Sequence, residues 1–87
     1  MGTQFPPHPE PAPQPFEPTP AEREEMVAVA AYYLAERRDF APGGEEADWL
    51  LAEQQIARLL ERARAAGLGR EALAQLGLRY ALRLWGD

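Results

Sequence analysis

Eight of the nine prolines lie between Pro6 and Pro20. Proline fixes φ, removes a backbone donor and disfavours helix in the residue before it. The stretch "FPPHPEPAPQPFEPTP" therefore reads as extended polyproline II, a semi-rigid arm that cannot build a core of its own. That leaves Ala21 to Asp87, 67 of the 87 residues, for one small domain. A domain of this size buries little surface, and a staple, a metal or a partner often supplements it. Phe5 and Phe16 are two apolar handles on the arm. The arm is either a solvated tail or a strap for a partner's groove, anchored by those two rings. Pro6-Pro7-His8-Pro9 contains one PxxP, which says little where proline is so dense.

What the chain lacks narrows its chemistry. Without cysteine there are no disulfides, thiolate metal sites or thiol nucleophiles, and the redox compartment stays open. Serine, lysine and asparagine are missing too, and the two threonines lie in or beside the arm. The single histidine, His8, is also in the arm, so no metal or cofactor is expected. Acid–base work would fall to carboxylates or tyrosines alone, and the expectation is a protein that is not an enzyme. No apolar run approaches the roughly 18 residues of a membrane span. The start of the chain lacks the basic flank and apolar stretch of a signal peptide, which points to the cytoplasm.

The net charge of −5 is unevenly placed. Met1 to Asp48 holds ten acids and three arginines, a balance of −7. From Trp49 to Asp87 there are four acids and six arginines, a balance of +2. The whole chain would be repelled by nucleic acid at long range, although its C-terminal half would not.

Three helices are expected, over residues 20–38, 45–66 and 70–85, in an all-α three-helix bundle carrying the extended N-terminal arm. Thr19-Pro20-Ala21-Glu22 is a helix start: Thr19 at the N-cap, Pro20 at the first position, Glu22 completing a capping box. Met26, Val27, Ala30, Tyr33 and Leu34 then form a one-sided stripe. In the second helix Trp49, Ala52, Ile56, Leu59, Leu60 and Ala63 share a face, with Leu50 and Leu51 off it. Gly67 suits a left-handed C-cap that Leu68 covers.

The third helix is unusual. Leu73, Leu76, Tyr80 and Leu84 line one face and Leu78, Leu82 and Trp85 another, an apolar arc roughly 240° wide. So small a bundle can hardly surround one helix. Part of this surface is therefore expected to meet a protein partner or a second copy, through Leu78, Leu82 and Trp85.

Between the first two helices, Pro42 stops the chain and Gly43-Gly44 permit a tight reversal. Phe40 and Trp49 flank this hinge and are expected to close an aromatic cluster with Tyr32 or Tyr33. Glu45, Glu46 and Asp48 suit the start of the second helix better than they suit a metal, since the alternating ligand spacing of a calcium loop is missing. Glu53 is expected to pair with Arg37 or Arg38.

Here the residues carry a resemblance. Ala31-Tyr32, Pro42-Gly43, Asp48-Trp49-Leu50 and Ala52-Glu53, within Ala30 to Ile56, resemble the short bacterial proteins grouped as domain of unknown function 2934. The resemblance implies a helical hairpin and no activity. The proline arm and the helical tail after Ala66 depart from that short form.

The leading expectation is a small interaction or accessory protein with a helical core, a sticky third helix and an arm that orders on its partner. The alternative is a nucleic-acid-binding regulator. Residues 65–86 faintly resemble a helix-turn-helix, with Arg70, Arg79 and Arg83 as phosphate contacts. Against it stand the net charge and the lack of a three- or four-residue turn before a recognition helix.

Overall fold

The computed structural model describes residues 17–86. Residues 1–16 of the arm, with Phe5, His8 and Phe16, lie outside the described residues. The described chain is all-helical, with four helices: α1 (Pro20–Arg37), α2 (Glu45–Ala65), α3 (Arg70–Leu76) and α4 (Leu78–Trp85).

α1 starts where the sequence puts it. The Glu22 backbone N–H donates to the Thr19 hydroxyl at 3.1 Å, and the Thr19 N–H donates to Glu22 Oε1 at 2.9 Å. Two orphan amides of the first turn are thereby satisfied. At its other end the helix stops before Pro42 takes effect. The Asp39 N–H donates to the Glu36 carbonyl at 3.0 Å and the Phe40 N–H to the Ala35 carbonyl at 2.8 Å, a Schellman closure. Its left-handed position is filled by Asp39, at φ 54, and Phe40 follows at φ 55. Glycine is the usual residue there, so both side chains are held in a backbone region that L-residues resist.

α2 ends with the same motif on a better-suited residue. Gly67, at φ 73, takes the left-handed position, and the Leu68 N–H reaches the Ala63 carbonyl at 2.9 Å. The second closure needs one left-handed residue, a glycine, where the first holds two residues with side chains at positive φ.

The core lies between α1, α2 and α4. Val27, Ala30 and Leu34 of α1 meet Ala52, Ile56, Leu59 and Leu60 of α2, with Leu73 and Ala81 added from α3 and α4. Ala30, Ala52 and Ala81 are completely enclosed, one on each of the three longer elements. Such small side chains let helix backbones approach closely. On α2 the expected stripe is buried except at Trp49, which is 38% exposed; Gln55 is enclosed in its stead.

The expected third helix is two helices. Gly77, at φ 87 and ψ 142, sits in a conformation that a Cβ would forbid. Its N–H closes α3 on the Leu73 carbonyl at 3.1 Å, and its own carbonyl accepts from Ala81 at 3.0 Å to open α4. The break also accounts for the wide apolar arc. α3 turns Leu73 inward, and α4, redirected, turns Ala81 inward with Leu78, Leu82 and Trp85 packed beside the core. Two short amphipathic faces take the place of one helix greasy on most of its circumference. Tyr80 and Leu84 consequently do not share an inner face with Leu73.

Two substitutions test these backbone assignments. Gly77→Ala should destabilise the protein by about 1–3 kcal/mol in urea unfolding, because the new Cβ opposes the break. Asp39→Gly should act in the other direction, raising stability by up to about 1 kcal/mol.

Candidate functional site

Two surfaces correspond to the regions that the sequence singles out: the α1–α2 hinge and the outer side of α4. The hinge is an electrostatic joint. Arg38, the C-cap of α1, donates from Nε at 2.9 Å and from Nη2 at 2.6 Å to Oδ2 of Asp48 in the first turn of α2. Both side chains are largely covered, at 26% and 14% exposure. The Asp48 hydrogen bond raises the Arg38 pKa further above its already high value. Gly44 is part of the same joint. A Cβ there would fall 2.7 Å from the Arg38 guanidinium carbon, so the glycine leaves room for the arginine to cross. Its φ of −111 asks nothing unusual of the backbone, whereas Gly43, at φ 94, makes the reversal itself.

Two expectations about the hinge are corrected. Arg38 pairs with Asp48 rather than Glu53, because Asp48 sits one turn nearer the incoming chain; Glu53 is exposed. Phe40 packs on Tyr32 at 5.2 Å between centroids, and Tyr32 meets Tyr33 edge-on at 6.3 Å. Trp49 takes no part in these ring contacts among the described residues. It sits at the rim of the buried face, beside exposed Leu50 and Leu51. Pro42 is exposed. Among the described residues no group of three or more His, Asp or Glu is placed to hold a metal, and no helix is long and apolar enough to cross a membrane.

The C-terminal helices are tied to α1 by arginines. Arg70 of α3 donates through both terminal nitrogens to the Glu22 carboxylate, one of the contacts at 3.1 Å. Glu22 thus serves the cap and the ion pair together. The Arg70 hydrogen bond, then the Thr19 N–H, pull its pKa down from 4.5 to about 2. On α4, Arg79 donates to Glu36 at 2.8 Å and lies 4.3 Å over the Tyr33 ring. Tyr33 first, and then Glu36, raise the Arg79 pKa above its ordinary value. Arg62 of α2 reaches the Trp85 carbonyl at the end of α4, at 3.4 Å. Of the three arginines expected as phosphate contacts, Arg70 and Arg79 have carboxylate partners within the chain, and Arg83 is exposed.

Leu78, Leu82 and Trp85, expected at a partner surface, are half-buried and pack against the chain's own core. The large apolar side chains most open to solvent on α4 are Tyr80 and Leu84. Of the expected partner-binding residues, Phe5 and Phe16 lie outside the described residues.

Residues 22–58 match the family described as Protein of unknown function (DUF2934). The match takes in nearly all of α1, the hinge and the first two-thirds of α2, and it is wider at both ends than the resemblance over 30–56. It includes both sides of the Arg38–Asp48 joint and stops before α3 and α4. No curated protein and no solved structure matches the chain.

Sequence reasoning overlooked Gln55. It stands three residues after Ala52 and four before Leu59, on the same face as both, and that spacing was the available signal.

The Glu22 pair predicts an acid response. Its folded-state pKa is depressed, so its contribution is complete above about pH 4.5 and is lost as pH falls toward about 2. Glu22→Gln keeps a capping-box side chain but loses the charge. The variant should be less stable at neutral pH and show a flatter loss of melting temperature between those limits. An acid limb identical to that of the parent would remove Glu22 from the account.

Proposed function

We propose that this chain is a small non-catalytic interaction protein. It docks a protein partner, or a second copy of itself, through α4 and the proline-rich arm, in the cytoplasm of a bacterium, the source that the family resemblance implies. The observation that supports this most is the shallow burial of α4. Of its eight residues only Ala81 is buried. Tyr80 and Leu84 stand 51% and 46% exposed, next to the uncovered edges of Leu78, Leu82 and Trp85. Burying a fully exposed side chain of this kind releases roughly 1.5–3 kcal/mol, and one already half covered about half of that, and a few anchors commonly dominate an interface. The absence of serine, cysteine and lysine throughout the chain favours docking over catalysis. Phe5 and Phe16 join this reading on the strength of the sequence alone.

The nucleic-acid reading has less behind it. Arg70 and Arg79 would have to give up Glu22 and Glu36 before meeting phosphates. The connection between α3 and α4 is the single residue Gly77.

Light scattering across a dilution series, together with capture from native cells, tests the proposal. Replacing Tyr80 and Leu84 together by glutamate alters surface positions only. It should weaken the dimer or the partner complex by about tenfold or more while leaving the melting temperature nearly unchanged. A monomer at every concentration that also captures no protein would sink the reading. A salt-dependent shift of duplex DNA would replace it.

A further inference from the structure

Gln55 is 92% enclosed, at 8% exposure, yet its side-chain amide makes no hydrogen bond with any described residue. A buried amide offers two donors and an acceptor, and groups of this kind rarely go without a partner. None of the side-chain polar atoms cut off from solvent lacks a partner among the described residues. The Gln55 amide is therefore not wholly cut off from solvent, and Gln55 is among the residues lining a cavity of about 210 Å³ between α1, α2 and α4. Leu34 and Leu82 supply its apolar wall.

The charges around this cavity are mostly of one sign. Arg37 from the end of α1 and Arg79 and Arg83 from α4 all line it, with Tyr33 and Glu36. Glu36 is engaged by Arg79. Arg37 and Arg83 are exposed and make no ion pair among the described residues. Three arginines thus line the cavity against one glutamate, on a chain whose net charge is −5. Arginine forks suit planar or tetrahedral oxyanions, and an adjacent low-dielectric wall strengthens the attraction.

We propose that this cavity is a binding site for an oxyanion, a carboxylate or a phosphate group. The Gln55 amide donates from the floor, and Arg37 and Arg83 close on the ligand from the rim. Arg79 stays on Glu36 and Tyr33 and supplies charge without needing to move. The site is separate from the Tyr80–Leu84 surface, so it stands whether or not α4 docks a partner.

Titration of the full-length, nitrogen-15-labelled protein at constant ionic strength tests the assignment. Inorganic phosphate and succinate serve as the two probes, and sodium chloride as the control. One or both probes should produce saturable shifts of the Gln55 side-chain NH2 and of the Arg37 and Arg83 Nε signals; the tighter probe identifies the preferred oxyanion. Arg37→Gln combined with Arg83→Gln should weaken that binding by about tenfold or more, with unchanged helical content. Gln55→Leu, which keeps the packing volume, should also weaken it. Shifts no larger than those from chloride overturn the proposal, as does saturable binding that survives the double arginine variant. A water-filled cavity would give the chloride result.

Discussion

At φ 87 and ψ 142 the main chain at Gly77 takes a course that any Cβ would obstruct, and the burial of the C-terminal segment depends on it. Without the break, residues 70–85 would present apolar side chains in nearly every direction to a hairpin that can cover only one. With it, α3 and α4 each need cover on one side. Leu73 and Ala81 both reach the core formed by Ile56 and Leu59, although they lie on different helices. One backbone conformation thus reconciles an excess of apolar residues with a very small fold.

The remaining order comes from arginines spanning between elements. Arg38–Asp48 joins α1 to α2, Glu22–Arg70 joins α1 to α3, and Glu36–Arg79 joins α1 to α4. Exposed pairs of this kind contribute little singly, and the better-covered Arg38–Asp48 pair is the one whose geometry the backbone accommodates, at Gly44. The segment matching the family includes this joint but not the two C-terminal pairs. α4 lies outside that segment, whereas the arginine-lined cavity straddles its edge: Tyr33, Leu34, Glu36, Arg37 and Gln55 fall within the match, and Arg79, Leu82 and Arg83 come from α4.

Much of the architecture was legible because its signals are local. The Thr19–Glu22 box, Gly67 with Leu68, and the spacing of Val27, Ala30 and Leu34 each act over four or five residues, so the sequence carries them whole. Helix ends set by longer-range circumstances were harder to read. α1 stops at an Asp39–Phe40 closure where glycine would be expected, with Phe40 resting on Tyr32, and Pro42 is not what ends it. Trp49 fitted the periodic face of α2 and is nevertheless at its rim, because the width of that face depends on what α1 and α4 cover.

The amino-acid order by itself determined the all-helical class, the hairpin and most of the core, since caps and helical periodicity are properties of neighbouring residues. The tertiary structure alone decided that residues 70–85 form two helices, that Arg38 takes Asp48 rather than Glu53, and that Gln55 faces a cavity rimmed with arginine. Each of these turns on which side chains and backbones meet across tens of residues. A glycine can stay in a helix or leave it, and an arginine can reach any of several carboxylates; only the packed neighbours select one outcome.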